Sequence, residues 1–328
     1  MAETQKPRIL IADDDLVSRR VLEAFVSKRG YDVLSAANGQ DALRLLSAEG
    51  APRLAILDWM MPGMEGTDVC RKLREQSGER PYIYLLLLTS RTDREDLLKG
   101  LQAGADDYVT KPFDPAELDA RLSVGQRILD LQDKLIAARE ELRFRATHDV
   151  LTGMVNRGVV LETLSREHAR QKREGGSFGI ILMDIDHFKH VNDAYGHLSG
   201  DAVLREISAV MQSSLRPYDT IGRYGGEEFL VVVPQSDAAA AFNIAERVRR
   251  AIEKQTITAQ DREIRVTASL GVAATAQAGA LEPQTLLNLA DEALYRAKRN
   301  GRNRTELAAD SPPAANEPAG TGSHHNQM

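Results

Sequence analysis

Through the first third of the chain, short apolar runs at 8–12, 31–36, 54–57, 82–88 and 107–110 alternate with amphipathic stretches such as 17–29 and 41–48. The runs read as buried strands and the stretches between them as helices. Regular βα alternation predicts an α/β, doubly wound parallel sheet with helices on both faces. In such a sheet the loops after the strands are where chemistry is expected. From 114 to about 147 the only strong breaker is Pro115, which suits a helix start. Val124, Ile128, Leu131, Leu135, Ala138 and Leu142 follow a 4-3 spacing with charges between them. That spacing predicts a long linking helix whose stripe pairs with a copy of itself as a coiled coil. Packing on its own domain is the alternative, and Gly125 and Arg145 interrupt the stripe.

From His148 onward the pattern changes. Apolar strands are expected at 178–183, 229–233 and 264–272, and helices at 201–215, 238–254 and 283–299. They do not alternate regularly, so this half reads as α+β around a largely antiparallel sheet. Beyond Leu307 the chain turns to Ala, Pro, Gly, Ser and Asn, a composition that predicts disorder. The expected division is 1–127 for the first domain, 115–147 for the helix, 148–306 for the second domain and 307–328 for the tail.

Composition narrows the function classes. The 328 residues carry 42 basic and 48 acidic side chains, a net charge of −6, which argues against nucleic acid or anionic membrane as the main partner. A single cysteine, Cys70, excludes an internal disulfide. The longest apolar run, 82–88, is far short of the ~20 residues of a spanning helix. Residues 1–7 lack the apolar stretch of a signal peptide. A cytoplasmic location is the expectation.

Three signals fall at strand ends of the first domain. Asp13, Asp14 and Asp15 follow the first run, Asp58 the third, and Thr89 and Lys111 the last two. Carboxylates converging on one crevice repel unless a hard cation such as Mg²⁺ joins them. A lysine and a hydroxyl beside that cation make a site for phosphate oxygens. Over roughly 7–126 the chain resembles a response-regulator receiver domain. The resemblance implies Asp58 as phospho-acceptor, Asp13 and Asp14 as Mg²⁺ holders and the Met60 carbonyl as a further ligand. Thr89 and Lys111 would contact the phosphoryl group, Tyr108 would reorient on activation, and a cognate histidine kinase would donate the phosphate. Lys111-Pro112 is the family's pair for a cis peptide bond.

The most informative stretch is Arg223-Tyr-Gly-Gly-Glu-Glu-Phe229, two glycines and two acids entering a buried strand. A second acidic pair, Asp184 and Asp186, follows the run at 180–183. Were those strands neighbours, their acids would suit a divalent metal on nucleotide phosphates. From about Asp149 to Glu306 the chain resembles the GGDEF domains of diguanylate cyclases. It shares Asp149-Val-Leu-Thr-Gly-Met-Val-Asn-Arg157, Asp184-Ile-Asp-His-Phe-Lys189, Asn192-Asp-Ala-Tyr-Gly-His197, Gly200-Asp201, Ala290-Asp-Glu-Ala-Leu-Tyr-Arg-Ala-Lys298 and Gly301-Arg-Asn303. The resemblance implies a palm-like nucleotidyl cyclase fold in which Asp184, Glu227 and the Ile185 carbonyl hold Mg²⁺. Asn192 and Asp201 would read guanine, and Lys189, Lys298 and Arg302 would bind the triphosphate. Glu228 reads equally well as a metal-side or a structural residue, and Asp186 as structural.

The implied reaction joins two GTP into cyclic di-GMP with release of pyrophosphate, which requires two GTP-bearing domains to face each other in a homodimer. Arg216-Pro-Tyr-Asp219 matches the family's RxxD product-inhibition site, with Arg247 and Arg170 as partner arginines. Alone, Arg216 and Asp219 would read as a surface ion pair. A nucleotidyl cyclase with another substrate stays open, and the competing readings of other classes are a non-catalytic nucleotide receptor and a phosphorylated DNA-binding regulator. The intact acidic hairpin opposes the first, and the lack of a basic recognition helix opposes the second.

Overall fold

Strands bare of polar side chains on both faces can only be interior strands of a covered sheet, and the first half of the chain folds accordingly. The computed structural model describes residues 6–75, 81–90, 94–275 and 281–309. Strands β1 (Arg8–Ala12), β2 (Asp32–Ala36), β3 (Leu54–Asp58), β4 (Tyr84–Thr89) and β5 (Asp107–Thr110) form one parallel sheet in the order β2-β1-β3-β4-β5. Helices α1 (Leu16–Ser27), α2 (Gly39–Leu46), α3 (Gly66–Glu75) and α4 (Arg94–Gln102) make the crossovers. Successive strand residues serve opposite faces. Leu10, Leu57 and Leu85 enter one core, Ile9, Ile56 and Leu86 the other. The chain leaves β1 toward one sheet edge and β3 toward the other, so their carboxyl ends flank a crevice.

Helix α5 (Pro115–Thr147) starts where Pro115 predicts, with Asp114 Oδ1 accepting from the N–H groups of Ala116 and Glu117. Leu118, Leu122, Gly125 and Leu129 turn inward and are buried. Gly125 is no flaw in the helix: a Cβ there would lie 2.6 Å from the Tyr84 ring and 3.0 Å from Leu54, so glycine permits the helix to cross close over the sheet. Leu131, Leu135 and Leu142, from the spaced stripe, remain exposed. The chain divides into two compact units, Met1–Glu140 and Glu141–Met328.

In the second unit the elements are α6 (Arg157–Glu174), β6 (Gly179–Ile185), α7 (Phe188–Tyr195), α8 (His197–Ser214), β7 (Thr220–Arg223), β8 (Glu228–Val233), α9 (Ala238–Lys254), β9 (Ile257–Ala259), β10 (Arg262–Ile264), β11 (Ala268–Ala274), α10 (Pro283–Arg299) and β12 (Thr305–Leu307). Five strands form a sheet in the order β12-β11-β6-β8-β7, antiparallel except for β11 with β12. One face packs on α7, α8 and α9, the other on α6 and α10. Helix α10 lies directly on β11: a Cβ at Gly271 would sit 2.1 Å from the Ala290 carbonyl oxygen and 2.3 Å from the Leu294 nitrogen. That close seat carries the end of α10 over the end of β6.

Two expectations need correction. The single strand expected over 264–272 is two, because β10 pairs with β9 in a separate hairpin while β11 joins the main sheet. Ile264, Val266 and Ala268 all enter the same core, so the apolar alternation continues through the corner and hides the change of partner. The expected tail begins too early. Leu307 is in β12 and the Ala308 N–H donates to the Val272 carbonyl at 2.7 Å. The tail from 310 on lies outside the described residues.

Candidate functional site

The crevice of the first sheet assembles from strand ends. Asp13 follows β1, Asp58 ends β3, Thr89 ends β4 and Lys111 follows β5. Carboxylate oxygens of Asp13, Asp14 and Asp58 all lie within 4.8 Å of one another. Lys111 Nζ sits 2.8 Å from Asp13 Oδ2 and 2.9 Å from Asp58 Oδ2. The Asp15 N–H and the Ser18 hydroxyl donate to Asp13, fixing its two oxygens. Burial raises the Asp58 pKa, and Lys111 opposes that rise without cancelling it. Burial works against the Lys111 ammonium, yet its hydrogen bonds to Asp13 and Asp58 win and raise its pKa. The Lys111 N–H donates to the Thr89 carbonyl at 2.7 Å, and Lys111-Pro112 is cis. Met60 is half exposed beside Asp58, and Tyr108 packs half-buried against the core.

In the second unit, β6 and β8 are neighbours and Asp184 pairs with Glu228 across them. The Ile185 N–H donates to the Glu227 carbonyl at 3.3 Å, so the acidic end of β6 and the glycine hairpin adjoin. Burial first, and the Asp184 charge second, raise the Glu227 pKa. Burial also raises that of Asp184, against the Lys298 ammonium 2.8 Å away. Arg302 is near enough for its charge to oppose the same rise. Asp186 is satisfied within the fold by the hydroxyls of Thr267 and Ser269, each at 2.7 Å, and by the Asn303 N–H at 3.0 Å. A structural role accounts for it.

Asn192 lies in α7 and Asp201 in α8, on either side of the α7–α8 corner. A Cβ at Gly200 would lie 2.0 Å from Asn192 Oδ1, so only glycine admits the amide against the first turn of α8. Lys189 is exposed in the first turn of α7. Arg216, Asp219 and Arg247 also gather. Asp219 Oδ2 accepts from the Arg216 N–H at 2.9 Å, while Oδ1 is buried without a partner. Burial raises the Asp219 pKa against the charges of Arg216 and Arg247. Arg170 is not part of this group; its ion pairs are with Glu167 and Glu174 on its own helix.

Sequence reasoning quoted Asp149 and Arg223 without giving them work. Arg223 Nη1 lies 3.0 Å from each Asp149 oxygen, while its Nε and Nη2 donate to the carbonyls of Gly225 and Gly226. One guanidinium therefore clamps the hairpin tip to the start of the domain, with the planar fork that carboxylate recognition favours. Burial would raise the Asp149 pKa, but bonds from the Thr152 hydroxyl and N–H and from Arg223 outweigh it and lower it.

Comparison with known proteins agrees with this geometry. The family model described as diguanylate cyclase, GGDEF domain, matches residues 146–304, and that of the response regulator receiver domain matches residues 9–123. Response regulator PleD of Caulobacter vibrioides is 34% identical over 298 residues, 90% of this chain. Diguanylate cyclase DgcP of Pseudomonas aeruginosa is 38% identical over 216 residues, 64% of this chain. The chain spans 64% of the length of PleD and 32% of that of DgcP. Among solved structures, the coiled coil and GGDEF domain of DgcB from Caulobacter crescentus, in complex with c-di-GMP, is 30% identical with a TM-score of 0.50. The match covers 58% of this chain and 99% of that one.

The Asp149–Arg223 clamp has a pH signature. A lowered carboxyl pKa stabilises the fold above the unfolded value of about 3.9, and the gain disappears as pH falls through the lower folded value. Asp149→Asn should cost about 1–2 kcal/mol at pH 7, kept modest by partial solvent exposure, and the gap should shrink toward pH 3. Thermal melts of both proteins at the two pH values measure it. A gap of the same size at both removes the charge from the account.

Proposed function

The chain belongs to the GGDEF family and carries a response-regulator receiver domain ahead of its GGDEF domain, and on that premise we propose that it is a phosphorylation-controlled diguanylate cyclase, joining two GTP into cyclic di-GMP. The observation that carries the reading is the meeting of Asp184, the Glu227 hairpin and Lys298 at the end of β6. Two carboxylates that burial drives toward protonation, beside a backbone carbonyl at Ile185, are a hard-oxygen set that fits Mg²⁺. The three acids of the receiver crevice fit a second Mg²⁺ in the same way. Bound to the triphosphate, Mg²⁺ would neutralise charge that develops on the reacting phosphate.

The chain's own residues bind and orient. Asn192 and Asp201, on the two helices of the α7–α8 corner, offer an amide and a carboxylate to the guanine edge. Lys298 and Arg302 hold the triphosphate, with Lys189 as a third cation. The 3′-hydroxyl of one GTP attacks the α-phosphate of the other and pyrophosphate leaves; repeating the step in the opposite sense closes the ring. One domain supplies one GTP, so alignment of two domains sets the rate. A homodimer through the exposed stripe of α5 provides that alignment. A histidine kinase supplies the phosphate to Asp58, with Lys111 and Thr89 positioned for its oxygens. Product inhibition belongs to the Arg216–Asp219–Arg247 group, whose buried, unpartnered Asp219 Oδ1 is suited to a base N–H.

Incubation with GTP and Mg²⁺, followed by chromatography, should yield cyclic di-GMP. Glu227→Gln should lower its formation by about a hundredfold or more; unchanged turnover in that variant takes Glu227 out of the mechanism. Beryllofluoride should raise turnover in the wild type and leave Asp58→Asn unmoved, and no response in the wild type would separate the receiver from catalysis. Calorimetric titration with cyclic di-GMP should show affinity that Arg216→Ala reduces about tenfold or more, and equal affinity rejects the inhibitory site.

A further inference from the structure

The loop that follows α10 holds more backbone strain than a helix end requires. Gly301, Arg302 and Asn303 have φ values of 108°, 58° and 46°, three left-handed residues in succession, two of them with side chains. Ending a helix takes one such residue, and glycine supplies it. Gly301 fills that place here, and the Arg302 N–H closes the turn on the Ala297 carbonyl at 3.0 Å. Left-handed backbone at Arg302 and Asn303 exceeds what capping demands. Strain of this kind persists where surrounding contacts over-determine it, and it gathers at sites that bind ligands.

The contacts that hold it converge on Asn303. Its N–H donates to Asp186 Oδ2 at 3.0 Å, its Nδ2 donates to Glu253 Oε1 at 2.7 Å, and its Oδ1 accepts from Arg249 Nη1 at 2.7 Å. Asp186 is immobilised by Thr267 and Ser269, and Arg249 by Glu246 and Glu253. Asparagine suits the position on two counts: it tolerates left-handed φ, and its amide both donates and accepts. Arg302 is thus carried between Ala297 on α10 and an anchor fixed to both β6 and α9.

We propose that Asn303 is a positioning residue for GTP: by pinning the left-handed turn to Asp186, Arg249 and Glu253, it aims Arg302 at the triphosphate. The inference rests on the diguanylate cyclase reading, in which Arg302 meets the phosphates. Asn303 itself touches no substrate. Its effect therefore passes through Arg302 and falls on binding, not on the chemical step.

The test is a double-mutant cycle on the full-length protein. The probes are 3′-deoxy-GTP with Mg²⁺, which cannot act as nucleophile, for affinity and GTP for kinetics. Asn303→Gly keeps access to left-handed φ and removes the amide. It should raise the Kd for 3′-deoxy-GTP and the KM for GTP about tenfold, with kcat within about twofold. In an Arg302→Ala background the same change should have little further effect. An unmoved Kd in Asn303→Gly overturns the proposal, as does an equal loss in both backgrounds. Should Asn303→Gly lose its folded circular dichroism signal, Asn303→Asp takes its place in the cycle, with the same outcomes deciding. Wild-type protein without affinity for the probe overturns the functional reading and this inference together, whereas wild-type affinity with a silent Asn303 overturns this inference alone.

Discussion

Crowding carboxylates at the ends of buried strands is unfavourable, and both halves of this chain are organised around doing it. Burial raises the proton affinity of Asp58 in the first unit and of Asp184 and Glu227 in the second, and positive charge nearby opposes that rise. The fold answers twice in the same manner. Lys111 reaches Asp13 and Asp58 from beyond β5, and Lys298 reaches Asp184 from the last turn of α10. Neither lysine is adjacent in sequence to its acids. Each is delivered by tertiary structure, which is why the Gly271 seat of α10 on β11 matters to the site as well as to the core. A lysine among carboxylates is also a lysine ready to exchange them for phosphoryl oxygens, the exchange that both proposed reactions require.

Much of the fold was legible because continuous apolar runs admit few arrangements. The five strands of the first sheet and helices α9 and α10 fall where the pattern puts them. It failed where one core receives two elements in succession, as at Ile264, Val266 and Ala268, since burial does not record which strand is the hydrogen-bonding partner. Gly125 shows the converse. Read along the chain it weakens a helix; seen against Tyr84 and Leu54 it permits α5 to pack close over the sheet.

The candidate site was legible as ordered motifs, which carry residue types but not their partners. The Asn192 amide packs against α8 only because Gly200 leaves room for it, and the motif contains that glycine without stating its reason. Arg223 was in view yet silent, because its partner Asp149 lies 74 residues earlier and only the folded hairpin exposes carbonyls for it to bind. Asn303 was quoted as the end of a motif; its contacts with Asp186, Arg249 and Glu253 exist only once β6, α9 and the loop after α10 are packed. Arg170, expected as a partner arginine, pairs with Glu167 and Glu174 within α6.

The inward side of helix α5 from Leu118 to Leu129 is part of the receiver core, so its first half is packed onto the receiver's sheet. Its later apolar residues, Leu131, Leu135 and Leu142, are exposed, and its own domain leaves them for another surface. A helix of 33 residues extends about 50 Å, long enough to carry a small rotation at one end to the other as a displacement. In the proposed reading, a phosphate on Asp58 shifts activity by favouring one arrangement of such helices over another. In that reading the close seat of Gly125 on Tyr84 and Leu54 is what ties the start of the helix to the sheet that carries Asp58.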